Sequence, residues 1–177
     1  DVFERRPHHG PLDKLALASR GQQTLPVTLK GVDPARLSAI APIDETIVEG
    51  QPRLGLNDIV IGRRLADALS VRAGDNITLV APRGAVTPMG TTPRIKVYKV
   101  AAVFEIGMSD YDTIFVFMPL AESQAYFNRN NDVTALEVYI DNADRYREMR
   151  KLVIDGAQRP IFITDWTQRN ATFFNAL

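Results

Sequence analysis

Residues Ala81–Lys96 read APRGAVTPMGTTPRIK, and no other segment of the 177-residue chain says as much about its fold and task. The segment lies between two strand candidates, Ile77–Val80 and Ile95–Val103, yet carries Pro82, Pro88 and Pro93 together with Gly84 and Gly90. Each proline removes a backbone donor and each glycine removes packing surface, so a central strand or a helix is not expected here. A connection this long inside a compact domain is usually functional or disordered. Proline also lowers the entropy lost when such a segment becomes ordered on contact. At the tip, Val86-Thr87-Pro88-Met89 is mildly apolar, with a soft methionine suited to adaptable surfaces. The segment therefore reads as an arm that touches another molecule.

Upstream of the arm the pattern is β-rich. Leu15–Ser19 and Thr24–Leu29 read as strands around Arg20–Gln23, and Pro26 places the second on an edge or at a bulge. Asp33-Pro34 supplies a cap and a first-turn proline for a short helix to about Ile40, which Pro42 ends. Glu45–Asp58 reads mostly as loop. Ile59–Gly62 then leads into a helix, Arg63–Leu69, with Leu65, Ala68 and Leu69 on one face. Downstream, Arg94–Ile106 is the longest strand candidate. Alternation sends Val97, Lys99 and Ala101 to one side of it and Tyr98, Val100 and Ala102 to the other. Gly107–Asp112 reads as an acidic turn.

The last third changes rhythm. Ile114–Met118 reads as a strand, Leu120–Phe127 as a helix, and Val133–Ile140 as a strand. Asp141 or Asn142 caps a helix to about Asp155, with Tyr146, Met149 and Val153 as its buried stripe and Asp141/Arg145 as a surface pair. Pro160–Thr164 is a further strand, and Asp165 with Gln168 resembles a capping box opening the last helix. The expected fold is α+β: an irregular lead-in (1–12), a β-rich lobe (13–112) carrying a protruding arm at 81–96, and a smaller α/β lobe (113–177) of βαβαβα order. Thr167–Leu177 has no glycine, proline or basic last turn to stop a helix, so a chain continuing beyond Leu177 is expected.

Composition narrows the function. With 45% hydrophobic and 24% charged residues, the chain has the make-up of a folded domain. Its 21 basic and 21 acidic residues balance, leaving no net positive field to draw nucleic acid. The absence of cysteine excludes disulfides, thiolate metal sites and cysteine nucleophiles. The only histidines, His8-His9, stand together in the irregular lead-in, so a common catalytic zinc site cannot be assembled. No serine lies in a Gly-x-Ser-x-Gly setting, and no glycine loop has phosphate-binding spacing. The acidic turn Ser109-Asp110-Tyr111-Asp112 lacks the ligand count of a calcium loop and reads as a cap on a strand connection. No catalytic residue, metal or cofactor is expected.

Several strings then converge on one family. Ile61–Ala66 followed by Val71–Leu79 resembles the helix–turn–strand of periplasmic domains in the MacB/FtsX superfamily. Thr87-Pro88-Met89-Gly90, Phe104–Asp112 and Asp165–Leu177 are similar to the LolC/LolE-type permeases of lipoprotein-releasing ABC transporters, and the resemblance runs from about Val27 to Leu177. It implies a MacB-like periplasmic domain between the first and second transmembrane helices of a bacterial inner-membrane protein, which in full length is membrane-embedded. It also implies a task for the arm, a hook formed by Ala85, Val86, Thr87, Pro88, Met89 and Gly90 that captures the periplasmic chaperone LolA. The implied partners are LolA, a LolC/LolE-type partner permease, the LolD ATPase and the lipoprotein substrate, with no nucleic acid. ATP hydrolysis would belong to the separate LolD subunit. A neighbouring polar and basic patch would fall at Thr78, Arg94, Ile95 and Lys96, where only Lys96 keeps a basic group at a matched position and Arg94 substitutes. A hook marks the LolC type or a hybrid subunit. The alternative is an FtsX-like or MacB-like regulatory or adaptor-binding ectodomain.

Overall fold

The computed structural model describes residues 12–39, 43–87, 90–129, 132–136, 138, 140, 142–165 and 168. The chain divides into two units, Asp1–Glu137 and Val138–Leu177. In the first, β1 (Leu12–Arg20) and β2 (Gln23–Val32) are followed by a 3-10 segment (Pro34–Ala39), α1 (Ile43–Thr46) and β3 (Ile47–Gly50). Next come β4 (Asp58–Gly62), α2 (Arg63–Leu69), β5 (Asn76–Thr87), β6 (Gly90–Phe104), α3 (Ser109–Ile114), β7 (Phe115–Pro119) and α4 (Leu120–Tyr126).

The strands run in the order β3-β6-β4-β7-β2-β1-β5, and β5 pairs again with β6. Six strands therefore close into a small barrel, with β3 attached to β6 as an extra strand. Every barrel strand sends side chains to the interior: Ala16 and Ala18, Val27 and Leu29, Ile59 and Ile61, Ile77 and Leu79, Tyr98 and Val100, Val116 and Met118. Helix α2 adds Leu65, Ala66 and Leu69 to this cluster, and α4 adds Tyr126. A second cluster joins Val32, Val60, Ala102, Phe104 and Phe117 to Leu37 of the 3-10 segment. Strands β4 and β7 thus bury both faces, which is why Ile59-Val60-Ile61 and Val116-Phe117-Met118 are continuous apolar runs rather than alternating ones.

One irregularity lets β6 serve both clusters. Ile59 pairs with Val100 but Val60 pairs with Ala102, so Ala101 is an extra residue in the ladder. A bulge of one residue inverts the side-chain parity beyond it. Val100 and Val103 consequently face the interior, whereas Ala102 and Phe104 face the second cluster. Strict alternation, which grouped Ala102 with Tyr98 and Val100, fails at this bulge.

Other differences from the sequence reading have local causes. Part of Glu45–Asp58 becomes β3, because β6 offers it an edge: Ile47 pairs with Phe104 and Gly50 with Ala102. In α2 it is Ala66, not Ala68, that is buried beside Leu65 and Leu69. The acidic turn closes into α3, where the buried Asp112 carboxylate accepts the backbone N–H groups of Ile106 (2.9 Å) and Gly107 (3.1 Å). Pro26 does lie where one edge of β2 is open, since β2 pairs with β7 only from Thr28 onward. Asp33 caps the 3-10 segment through the Ala35 N–H (3.1 Å).

Strand β7 pairs in parallel with β2 and antiparallel with β4, so residues following Asp112 belong to the first unit's sheet. The unit boundary accordingly falls at Glu137/Val138, not at the 112/113 junction read from the sequence. The second unit contains a 3-10 turn (Ala143–Arg145) and α5 (Tyr146–Ala157), with the Asn142 Oδ1 accepting the Asp144 N–H (2.9 Å). The expected stripe of Tyr146, Met149 and Val153 is half-buried, and α5 has no fully buried residue. Arg145 pairs with Glu148 (2.8 Å), and Asp141, its expected partner, lies outside the described residues. The described residues of the expected strands Val133–Ile140 and Pro160–Thr164 form no strand. Of the expected capping box, the Gln168 N–H donates to the Asp165 Oδ1 (3.0 Å).

Two glycines permit close packing in the first unit. A Cβ on Gly31 would collide with the Ser123 side chain of α4, and one on Gly62 would run into the main chain of Asp112 in α3. Main chain cannot move aside as a side chain can. Gly62→Ala should therefore lower stability by about 1–3 kcal/mol or more, read as a reduced urea midpoint.

Candidate functional site: the hairpin and its root

The arm is itself a β-hairpin. Strands β5 and β6 pair from Asn76↔Lys99 to Ala81↔Arg94, and the ladder resumes at Ala85↔Thr92, Val86↔Thr91 and Thr87↔Gly90. Between these stretches Pro82, Arg83 and Gly84 stand opposite Pro93 alone. Both prolines thus sit where the ladder pauses and no donor is missed. The sequence reading, which ended its strands at Val80 and Ile95, took these prolines as terminators when they mark a bulge. Beyond Ala81 pairing is between β5 and β6 only, consistent with an arm rather than a sheet interior. Of the hook residues, Ala85, Val86, Thr87 and Gly90 lie on the paired strands, while Pro88 and Met89 lie outside the described residues.

The four patch residues do not form one surface. Val80 pairs with Leu17 and Ile95, and Thr78 with Ser19 and Val97. Leu17 and Ser19 in turn pair with Pro26 and Thr24. Two rows therefore cross the outer face of four strands, Pro26–Leu17–Val80–Ile95 and Thr24–Ser19–Thr78–Val97, without a charged residue. Ile95 and Val97 are 63% and 54% exposed on this face. Arg94 and Lys96 have the opposite parity, shared with the buried Tyr98, and turn toward α4.

There they form a compact network. Lys96 Nζ donates to Glu122 Oε1 (2.7 Å), and Tyr98 Oη donates to the same oxygen (2.6 Å). The Arg94 guanidinium donates to the carbonyls of Ala125 (2.7 Å) and Tyr126, and Tyr126 Oη donates back to the Arg94 carbonyl (3.1 Å). The Lys96 ammonium also lies 5.2 Å from the Tyr98 ring centre, and Tyr98 meets Tyr126 edge-on at 5.9 Å. Sequence reasoning missed Tyr98, Glu122 and Tyr126 as a unit. Their legible signal was a carboxylate one helical turn before a tyrosine, on the buried side of LAESQAY.

Burial, reinforced by the Glu122 hydrogen bond and charge, pushes the Tyr98 phenol far above its ordinary range. Burial likewise pushes Tyr126 up to about 12, against the opposing Ala81 backbone hydrogen bond and Arg94 charge. Both phenols remain protonated at neutral pH, so Tyr98 is a permanent donor to Glu122.

The remaining polar features offer little chemistry. A cleft of about 440 Å³ is lined by residues including Glu49, Arg63, Asp67, Ser70, Arg72 and Asp75. Arg63 pairs with Asp67 (3.3 Å), Asp75 with Arg20 (2.9 Å), and Glu49 accepts the Ala73 N–H (3.1 Å). The Arg72 backbone hydrogen bond and then Arg20 hold the Asp75 carboxyl below its usual range. Among the described residues there is no group of three His, Asp or Glu side chains that could hold a metal, and no helix long and apolar enough to cross a membrane.

No protein-family model matches the chain. It is 24% identical over 166 residues to the lipoprotein-releasing system transmembrane protein LolC of Neisseria meningitidis serogroup B, covering 92% of this chain and 40% of that protein. It is 24% identical over 161 residues to the protein of the same name from Xylella fastidiosa, covering 89% of this chain and 39% of that protein. In sequence, the chain is similar to LolC. It spans about two-fifths of the length of these LolC relatives. In fold, it matches the periplasmic region of MacB from Actinobacillus actinomycetemcomitans (TM-score 0.57, 8% identity, 97% of this chain and 78% of that one). It also matches the extracellular domain of the noncanonic ABC-type transporter YknZ from Gram-positive bacteria (TM-score 0.53, 15% identity, 84% and 75%). The chain thus has the mixed α/β fold of MacB-like ectodomains and carries it on a LolC-like sequence.

The tyrosines make a pH prediction. An unfolded tyrosine loses its proton near 10, whereas Tyr126 folded holds it to about 12. A raised folded pKa stabilises below the unfolded value and is lost as pH rises through the folded one. Urea midpoints should therefore fall as pH rises from 10 toward 12, and Tyr126→Phe should flatten that decline. At neutral pH, Tyr98→Phe should cost about 1–3 kcal/mol by leaving the buried Glu122 with one donor fewer.

Proposed function

We propose that the chain is the periplasmic domain of a LolC-type permease in a lipoprotein-releasing ABC transporter. Its hairpin recruits a LolA chaperone to receive lipoproteins leaving the inner membrane. The carrying observation is the β5–β6 ladder that resumes past the Pro82/Pro93 bulge and reaches Thr87↔Gly90. The pairing thus extends to Thr87 and Gly90, the residues that flank Pro88 and Met89 in sequence. Similarity to LolC across nine-tenths of the chain supports the assignment.

The domain itself performs no bond chemistry in this reading. ATP hydrolysis lies with a separate LolD subunit, and a second LolC/LolE-type permease completes the complex. Pro88 and Met89 supply shape and apolar contact. The adjoining surface would be the uncharged face around Thr78 and Ile95, since Arg94 and Lys96 are engaged with α4. A contact of this size buries less than a standard protein interface, which suits a carrier that must leave once loaded.

Titration against LolA tests the proposal. Pro88→Gly and Met89→Asp should each weaken binding about tenfold or more, while the urea midpoint stays near wild type. Deleting Ala85–Thr92 and closing the ladder with a short turn should abolish binding in a still-folded domain. Unchanged affinity in all three would remove the hook assignment. No binding by wild type, with capture of a cell-wall hydrolase activator instead, would favour the FtsX-like alternative.

A further inference from the structure

Strand β6 is paired with β5 along one edge from Gly90 to Lys99, but on its other edge β4 begins only at Lys99. An open edge is a row of unmet backbone groups, and covering it with a helix is one way to protect it. Here three alternate residues of β6 reach helix α4 with their side chains, and one carbonyl of the strand accepts a hydrogen bond from that helix. Arg94 holds the last carbonyls of α4 while Tyr126 returns a hydrogen bond to the Arg94 carbonyl, and Lys96 and Tyr98 converge on one oxygen of Glu122. Unpaired carbonyls at a helix C-terminus are natural acceptors for such a guanidinium.

The anchored positions end at Arg94, next to the bulge where the two-stranded hairpin leaves the barrel. Helix α4 in turn is fixed to the barrel. It follows β7 directly, Ser123 packs against Gly31 of β2, and Tyr126 enters the interior cluster. The Glu122 side chain is 10% exposed and that of Lys96 40%. The carboxylate is therefore an inner post, with little surface of its own to offer a partner.

We infer that Glu122 is a positioning residue for the hairpin: by holding Lys96 and Tyr98 to α4 it fixes the direction in which the β5–β6 arm leaves the barrel. This rests on the reading of the arm as the chaperone contact, because direction matters only if the tip must meet something. A loosened root leaves the tip chemistry unchanged but divides its population among directions that do not bind, which lowers apparent affinity in proportion.

Amide hydrogen exchange and LolA titration on the 177-residue chain, comparing wild type, Glu122→Gln and Glu122→Ala, test the two levels separately. Expected for Glu122→Ala is exchange faster by about tenfold or more in 85–98, with β2 and β7 amides unchanged, and LolA affinity lower by a similar factor. Glu122→Gln keeps an acceptor for Tyr98 and should fall between. It also carries the test if the alanine variant does not fold. Unchanged exchange at 85–98, or an equal rise throughout the barrel, overturns the positioning role. Faster exchange confined to the arm with unaltered LolA affinity establishes the anchor and overturns the arm as the chaperone contact.

Discussion

The first unit depends on how β6 is shared among three neighbours. Its first part closes the barrel against β5, and its last part lies between β4 and β3. These roles require its side chains to face the barrel interior before Ala101 and both cores after it. A single extra residue in the ladder accomplishes that change of parity. The order of burial follows: Tyr98 and Val100 inside, Ala102 and Phe104 outside, Val103 inside again. Without the bulge, Phe104 could not meet Phe117 edge-on at 5.5 Å while Val100 remained in the interior. The hairpin is the same strand and its partner continued past the barrel.

Placement of charge at the hairpin root bears directly on recognition. Arg94 and Lys96 look in sequence like a basic patch beside Ile95, but adjacent residues on a strand face opposite sides. The two cations turn inward and are engaged by α4, whereas Ile95 turns outward among Val80, Leu17 and Val97. Glu122 is nearly buried, so withdrawing Lys96 or Tyr98 from it would leave a buried carboxylate short of a donor, and the network resists being opened. The outward surface available next to the arm is apolar and hydroxylic. Such a surface offers a neighbouring molecule shape and apolar area rather than charge.

Much of the barrel was legible because its strands carry dense apolar runs and its turns carry clear punctuation. Ile59–Gly62, Ile114–Met118 and the Asp33-Pro34 cap emerge within a residue or two of where the structure places them. Three features were not legible, each for a physical reason. Strand β3 exists only because β6 presents an edge to Ile47–Gly50, which local propensity does not encode. The Ala101 bulge leaves no mark in composition, since alanine suits either face. The hairpin's prolines gave the right expectation, an arm outside the central sheet, through an incomplete mechanism, because a bulge accommodates prolines within a strand. The expected strands Val133–Ile140 and Pro160–Thr164 had alternation or apolar content, but that alone does not supply a pairing partner. At the candidate site the arm was found from its prolines. The Tyr98–Glu122–Tyr126 root was not, because Tyr98 lies more than twenty residues before the other two and meets them only when its inward-facing side chain reaches α4.

Kinship of fold cannot by itself distinguish among the ectodomains that share it, since likeness at 8% and 15% identity speaks to architecture alone. The distinguishing element must be something the barrel does not need for its own closure. Among the residues whose burial is described, the last core side chain on β5 is Ala81 and the first on β6 is Tyr98. The Asn76–Ala81 ladder already closes the barrel, and the pairing beyond the bulge is between β5 and β6 alone. Ordering residues beyond that point costs conformational entropy. The root residues Arg94, Lys96 and Tyr98 invest several hydrogen bonds in holding the base of the hairpin. A segment that barrel closure does not require, yet fastened at its origin, is where proteins of one fold are free to differ.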